Sequence, residues 1–239
     1  LVLHHFSNPI WFAGAGGWTS DLAVKWWMDY VQKVLKEFGG YVALWNTFNE
    51  PNLYISLGSL AGIFPPRRRN PIHAWKVLKN MANAHVQAYS MIHAEYSDAR
   101  VGISHNSAIF DADQLLGKLP AAISDWWYMR FLPDWFNTCD FFGMSYYARI
   151  GFDPLPVTEL DSPGKLALAG KAHDDMWEYH PEGLLACIRR YHARYGKPII
   201  ITENGVCTSD DAFRVKAIGD YLRYVHMALS EGIEVTAYY

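Results

Sequence analysis

Short apolar runs alternate with longer helical patterns along the whole sequence, and this alternation limits the fold more than any other feature. Six apolar runs are typical of strands: 1–6, 41–48, 100–105, 141–147, 198–202 and 233–239. Between them, five segments have helical periodicity: 21–38, 71–96, 124–136, 181–195 and 211–231. The order βαβαβαβαβαβ predicts an α/β fold with a parallel sheet and helices outside it.

Residues that start and stop helices support this division. Pro71 and Pro181 lie where a first helical turn tolerates proline, and Asp211 is a candidate helix cap. Gly196 and Gly232 are placed to end helices shortly before the next strand. The helix-to-strand links are therefore short. The segments after the strands are long instead, notably 8–20, 52–70 and 148–180, and in a parallel barrel they gather on the face that carries the chemistry.

The composition favours one globular domain over residues 1–239. Because 51% of the residues are hydrophobic, a chain of this length can bury a sizeable core, in the size range of a single α/β barrel. The formal net charge of −3 leaves no general attraction for nucleic acid or anionic membrane and suits a neutral substrate. No apolar stretch approaches the roughly 18–20 residues of a membrane span.

Three cysteines bear on the cellular compartment and on metal binding. Cys139, Cys187 and Cys207 are odd in number, widely spaced and outside any metal-ligand pattern. We therefore expect free thiols, a cytoplasmic location and no metal.

Polar residues accumulate where the predicted strands end. Since the carboxyl ends of barrel strands converge on a common axis, these side chains are expected to form one site. The pairs are His4-His5, Asn49-Glu50, His105-Asn106, Tyr146-Tyr147 and Glu203-Asn204.

Two of these residues are glutamates, which suits cleavage of a glycosidic bond. That reaction needs one carboxyl that protonates the leaving oxygen and a second that attacks or stabilises the anomeric carbon. Carboxyl groups about 5 Å apart would indicate retention of configuration, and a gap of roughly 6.5–9.5 Å would indicate inversion. A lone glutamate at a strand end can equally form a salt bridge or cap a helix, but the pairing of Glu50 with Glu203 favours catalysis.

Two longer motifs resemble the signatures of glycoside hydrolase family 1, the β-glucosidase and β-galactosidase family. They are WNTFNEP at residues 45–51 and IITENG at residues 200–205. The resemblance continues through residues 4–9, 142–147 and 175–183 and covers essentially the whole chain. It implies a (β/α)8 TIM barrel and a retaining β-glycosidase that acts on β-linked oligosaccharides or glycosides without a cofactor.

The resemblance also implies roles for individual residues. Glu50 would be the general acid/base and Glu203 the nucleophile, with Tyr147 as partner of the nucleophile. Sugar hydroxyls would be bound by His5 and Asn49, and the leaving group would lie near Asn106 and Trp177. No role is expected for the four histidines within helical stretches, His85, His93, His192 and His226.

The sequence departs from the family in two ways. Ser145 stands where the family usually has asparagine, which changes the local hydrogen bonds. The family barrel has eight strands, and this chain resembles only the third to the eighth. We expect the sequence to be cut from a longer reading frame, or the chain to associate with another copy or a complementing segment that covers the open barrel.

Three alternatives follow from these departures and from a basic run. The chain could be a catalytically silent barrel that binds sugar or serves in an assembly. It could belong to another retaining family, with cellulase-like or mannanase-like action on polymers. The run Arg67-Arg68-Arg69 is expected to be a solvated loop, with a phosphate or acidic-sugar site as the alternative.

Overall fold

Six strands form one sheet in a computed structural model of the chain, which describes residues 1–152 and 172–239. The order across the sheet is β1-β2-β3-β4-β5-β6, the same as along the chain. The pairs β1–β2, β2–β3 and β5–β6 are parallel. The strands are β1 Val2–His4, β2 Leu44–Asn49, β3 Arg100–Asp111, β4 Phe141–Gly151, β5 Ile199–Asn204 and β6 Val235–Tyr238.

Helices in the described residues connect these strands. They are α1 Ile10–Gly14, α2 Ala23–Phe38, α3 Pro51–Ile55, α4 Pro71–Glu95, α5 Leu115–Trp126, α6 Leu132–Asp134, α7 Glu182–Tyr195 and α8 Asp211–Ser230. π-Helical turns at Ser56–Ala61 and Trp127–Phe131 extend α3 and α5. Of the predicted long segment 148–180, residues 153–171 lie outside the described part of the chain.

The six predicted strands are confirmed, and four of the five predicted helices are confirmed within a few residues. The helix predicted over 124–136 is confirmed as helical through Asp134, but its predicted start is nine residues too late, because α5 begins at Leu115. Pro120 lies inside α5, and a proline removes one helical donor, so the sequence indicates a break there. Burial of Ala121 against Ala112 and Phe152 stabilises the helix despite that loss.

The helix caps are partly as predicted. Pro71 occupies the first turn of α4, as predicted, and Gly196 ends α7 with a left-handed φ of 59°. The cap of α8 is Asp210 rather than Asp211, since the Asp210 carboxylate accepts hydrogen bonds from the backbone N–H groups of Ala212 and Phe213. A cap lies outside the helix that it satisfies, and Asp211 is already in the first turn.

The described residues divide into two compact units. The first comprises Leu1–Asn106 and Leu132–Gly143, and the second comprises Ser107–Phe131 and the described part of Met144–Tyr239. The core of the first unit is aromatic, with the rings of Trp27 and Phe48 stacked at 4.6 Å between centroids. The core of the second unit contains Tyr146, Tyr191 and Tyr221, all fully buried. A single domain over residues 1–239 stays a prediction.

The helices within residues 1–152 and 172–239 include none that combines the length and the apolar character needed to span a membrane. All three cysteines are free thiols, as predicted, with Cys207 exposed and Cys139 and Cys187 buried.

Candidate active site

Glu50 follows the last residue of β2 in an unusual backbone conformation. Its φ of 46° is left-handed, which is uncommon for a residue other than glycine and is often found at functional sites. The Glu50 N–H donates to the carbonyl of Ser104 at 2.7 Å, and Pro51 begins α3 directly afterwards. Only 4% of Glu50 is exposed. The strand end therefore holds a buried carboxyl at a strained turn.

Asn106, a predicted site residue on β3, contacts this carboxyl. The Asn106 amide Nδ2 donates to Glu50 Oε1 at 2.7 Å. Asn52, which the sequence did not single out, fixes Asn106 in turn. Its Nδ2 donates to the Asn106 carbonyl at 2.8 Å, and its Oδ1 accepts from the Asn106 N–H at 3.1 Å. The only sequence signal for Asn52 is its position two residues after Glu50.

The two residues assigned to sugar hydroxyls also lie together. Asn49 Nδ2 and His5 Nε2 are 3.2 Å apart, so that ring nitrogen accepts when the amide donates. Asn49 is buried and His5 is exposed. The His5 imidazole is therefore the member of this pair that a ligand can reach directly from solvent.

His4, next to His5, is a structural residue. Its ring is buried in an aromatic cluster with Trp18, Phe48 and Tyr54, and its Nε2 lies 3.2 Å from Asn8 Oδ1. Burial lowers the pKa of His4 to about 4, because a charged ring is disfavoured away from water. Of the two neighbouring histidines, only His5 remains a candidate ligand.

In the second unit, Tyr147 and Glu203 are in direct contact. The Tyr147 hydroxyl donates to Glu203 Oε2 at 2.8 Å. This hydrogen bond joins the interior of β4 to the end of β5 and brings the two predicted residues into direct contact.

Asn204, adjacent to Glu203, is held from two sides. Its Oδ1 accepts from the Tyr238 hydroxyl at 2.8 Å, and its Nδ2 donates to the Tyr146 carbonyl at 2.5 Å. These bonds reach from β5 to both neighbouring strands. Because they fix the backbone next to Glu203, they restrict where its carboxylate can lie.

The segment that carries Trp177 is organised by Asp174, which the sequence did not indicate. Asp174 Oδ1 accepts from the N–H groups of Met176 and Trp177 at 2.7 and 2.6 Å. Its Oδ2 accepts from the Cys207 N–H at 2.8 Å. A single buried carboxylate therefore ties the Trp177 turn to the segment that follows Glu203. Trp177 itself is half-buried.

Gly183, at the start of α7, allows Tyr146 to lie unusually close to the helix. A Cβ at position 183 would be 1.9 Å from the Tyr146 hydroxyl oxygen. That hydroxyl donates to the His180 carbonyl at 2.8 Å, and the Tyr146 ring is fully buried, so it has no free space to move into. We expect Gly183→Ala to lower the free energy of unfolding by about 2–4 kcal/mol, measured by urea denaturation.

Gly219 within α8 is the matched control. A Cβ there would meet no atom within 4 Å, and alanine is the better helix former by about 1 kcal/mol. Gly219→Ala should therefore leave stability unchanged or raise it. Equal stability of the Gly183 and Gly219 variants would contradict the close approach of Tyr146.

The predicted site residues fall in both units. His5, Asn49, Glu50 and Asn106 lie in the first unit, and the other three, Tyr147, Trp177 and Glu203, lie in the second. As for metal binding, the part of the chain that the structure describes contains no group of three or more histidine, cysteine, aspartate or glutamate side chains that could hold an ion.

A family model described as glycosyl hydrolase family 1 matches residues 1–114 and 129–239. Among curated proteins, the chain is 28% identical over 258 residues to "Beta-glucosidase-like SFR2, chloroplastic" of Oryza sativa subsp. japonica, covering 100% of the chain and 38% of the relative. It is 27% identical over 301 residues to a β-galactosidase of Pyrococcus woesei, covering 99% of the chain and 59% of the relative.

A solved structure agrees with this match. The β-glycosidase from Pyrococcus horikoshii superposes with a TM-score of 0.83 at 29% identity, over 100% of the chain and 60% of that protein. The chain thus has the α/β fold of the TIM-barrel glycosidases, with six strands in its described residues. It spans between 38% and 60% of the length of these three proteins.

Proposed function

Because this chain belongs to glycosyl hydrolase family 1, we propose that it carries the catalytic residues of a retaining β-glycosidase that hydrolyses β-linked glucosides or galactosides. The observation that carries the proposal is the family match across both strand ends that bear glutamates, at Glu50 and at Glu203. The hydrogen bonds of each glutamate support the different roles that we propose for them, Glu203 as nucleophile and Glu50 as general acid/base.

Glu203 is the nucleophile of the proposed reaction. The hydrogen bond from Tyr147 at 2.8 Å orients the Glu203 carboxylate, which attacks the anomeric carbon of the sugar. The new bond between Glu203 and the sugar forms as the bond from the anomeric carbon to the leaving oxygen breaks. The product of this step is a covalent glycosyl-enzyme, and its charge balance requires a proton for the leaving oxygen.

Glu50 supplies that proton and later takes one back. In the first step its carboxyl protonates the leaving oxygen, and in the second it accepts a proton from the water that attacks the glycosyl-enzyme. The amide of Asn106, at 2.7 Å from Glu50 Oε1, restricts the orientation of the carboxyl in both steps. Two inversions at the anomeric carbon give overall retention.

The remaining predicted residues bind the substrate in this proposal. His5 and Asn49, which lie 3.2 Å apart, hydrogen-bond hydroxyls of the glycone. Asn106 and Trp177 lie toward the leaving group. The two carboxyl groups and water complete the proposed reaction, so it uses no metal or organic cofactor.

Association and compartment are further parts of the proposal. Leu1 and Val2, at the edge strand β1, are 51% and 45% exposed, and an exposed apolar edge favours strand pairing or coverage by another segment. We therefore place activity in a protein in which a second copy or a complementing segment covers this edge. The free thiols support a reducing, cytoplasmic compartment, although the rice relative is named as chloroplastic.

The proposal is tested by the stereochemistry of hydrolysis of a nitrophenyl β-glucoside and a nitrophenyl β-galactoside. Proton NMR of the first-formed sugar should show the β-anomer, which then equilibrates with the α-anomer, because double displacement retains configuration. First appearance of the α-anomer would contradict the mechanism. Binding of the sugar without any hydrolysis by the full-length protein would favour the catalytically silent barrel instead.

A further inference from the structure

Asn52 lies in the first turn of α3, and its side chain is fully buried. Its amide spans the backbone of Asn106 on β3, since Nδ2 donates to the Asn106 carbonyl at 2.8 Å and Oδ1 accepts from the Asn106 N–H at 3.1 Å. A side-chain amide offers the same donor and acceptor as a peptide group, so one residue binds both backbone groups of Asn106. Displacing a buried amide held in this way would be costly, because both hydrogen bonds would be lost away from water.

This contact extends the connection between β2 and β3 past the paired part of the strands. The register brings Asn49 opposite Ser104, and the Glu50 N–H donates to the Ser104 carbonyl at 2.7 Å. Further along β3, the side chain of Asn52 binds the backbone of Asn106 as a neighbouring strand would. The segment of β3 that carries Asn106 is therefore tied to the turn that carries Glu50.

The consequence for Glu50 concerns its side chain rather than its backbone. A glutamate side chain has several rotatable bonds, so a fixed backbone does not fix the carboxyl. The Asn106 amide Nδ2 donates to Glu50 Oε1 at 2.7 Å, and this bond keeps its geometry only while the Asn106 backbone stays in place. Asn52 therefore holds the donor, and the donor holds the carboxyl.

The hydrogen bond from Asn106 also distinguishes the two oxygens of the Glu50 carboxyl. In a protonated carboxyl the oxygen without the proton is the better acceptor, so an N–H donor at Oε1 favours the proton on Oε2. Transfer of that proton needs a heavy-atom distance of about 2.6–3.2 Å to the leaving oxygen. A carboxyl that rotates freely would lose this distance for much of the time.

We propose that Asn52 is a positioning residue for the acid step, in which it acts through Asn106 to direct Oε2 of Glu50 toward the leaving oxygen of the substrate. Because Asn52 is fully buried, it acts on the carboxyl and not on the sugar. The contacts stand on the structure, while their part in catalysis rests on the proposed function. In this step the leaving oxygen keeps the electron pair of its bond to the anomeric carbon and takes the proton from Oε2.

Hydrolysis of two glucosides by Asn52→Ala separates positioning of the acid from a general structural effect. Phenol has a pKa of about 10, as tyrosine does, so its release from phenyl β-glucoside depends on the proton. Dinitrophenol is a far stronger acid and leaves without one. In the full-length protein, Asn52→Ala should lower kcat/KM for phenyl β-glucoside about 10- to 100-fold and that for 2,4-dinitrophenyl β-glucoside less than about twofold. Loss of folded protein would lower both values equally.

Asn80→Ala is the matched control. Asn80 Nδ2 donates to the carbonyls of Trp18 and Ser20 at 2.8 and 3.2 Å, so this variant removes the same kind of contact between other segments of the same unit. It should leave the ratio of the two kcat/KM values unchanged. Asn52→Ser keeps a polar group at the buried position but is too short to bind both backbone groups of Asn106. It should show the same selective loss even if Asn52→Ala does not fold.

The side-chain amide of Asn106 reports on positioning without any hydrolysis. In a nitrogen–proton correlation spectrum of isotope-labelled protein, the Asn106 amide proton bonded to Glu50 should lie downfield of a solvated amide. Asn52→Ser should move this signal toward the solvated position, because the donor is no longer held in place. Asn80→Ala should leave it where it is.

The two measurements separate this inference from the proposed function. An Asn106 signal that does not depend on Asn52, equal losses on both glucosides, or the same selective loss in Asn80→Ala would overturn the inference. The proposed function then stands if the original protein hydrolyses the glucosides and requires Glu203. If the signal depends on Asn52 and the original protein hydrolyses neither glucoside, the proposed function fails and Asn52 still positions the Glu50 carboxyl.

Discussion

Glu203→Gln should lower kcat for hydrolysis of an aryl β-glucoside by the full-length protein at least about 1000-fold, since it removes the proposed nucleophile. Glutamine keeps the size and can still accept the hydrogen bond from Tyr147, so the site should retain its shape. The loss therefore reports on chemistry rather than folding. The measurement is the initial rate of nitrophenol release, with circular dichroism to confirm that the variant is folded.

Two further variants help to interpret the loss of kcat in Glu203→Gln. Glu234→Gln makes the same replacement at an exposed residue before β6 and should keep the original rate. Tyr147→Phe removes the hydrogen bond to Glu203 and should reduce kcat about tenfold, the size of one hydrogen bond to a charged group. Undiminished turnover by Glu203→Gln would rule out its assignment as nucleophile.

Acidification from pH 6.5 to pH 4 should remove several kcal/mol of the free energy of unfolding, because the first unit buries neutral histidines. Burial lowers the pKa of His4 and of His85 to about 4, and that of His105 to about 3. Unfolded histidine has a pKa near 6.5. Between these values the unfolded chain binds protons that the folded chain excludes, so stability is complete above pH 6.5 and falls as the pH decreases.

The size of this effect follows from the pKa shifts. A shift from 6.5 to about 4 corresponds to about 3 kcal/mol for each histidine, a large part of the roughly 5–15 kcal/mol that stabilises a domain. For His85 the cause of the lowered pKa is burial of the ring, and the hydrogen bond to the Thr138 carbonyl partly opposes it. Its Nε2 donates to that carbonyl at 2.7 Å, and its Nδ1 lies 2.7 Å from Thr47 Oγ1, a hydroxyl that can donate to the nitrogen of a neutral ring.

Urea denaturation at several pH values, with His85→Gln and His226→Gln, checks this prediction. His85→Gln removes one titrating group and should reduce the decrease in stability between pH 6.5 and pH 4. His226 is exposed on α8, and its replacement should leave the slope as in the original protein. A stability that is constant across this range would show that the buried histidines do not control acid unfolding.

Much of the fold could be predicted because its signals are local. Apolar runs and helical periodicity place the six strands and most helices, and Pro71 and Gly196 mark helix ends through their own backbone preferences. The start of α5 could not be predicted, because Pro120 opposes the helix locally and the burial of Ala121 that stabilises it involves Phe152, which is distant in the sequence.

The same distinction applies to the candidate site. The sequence by itself determined which residues stand at the strand ends, among them Glu50 and Glu203. Each strand and each motif consists of a few consecutive residues, so a short stretch of sequence is enough to identify it. Only the tertiary structure decided what holds them. Asn52 reaches Asn106 across 54 positions, and Asp174 reaches Cys207 across 33. Such contacts depend on how distant segments pack, and no property of either segment alone encodes them.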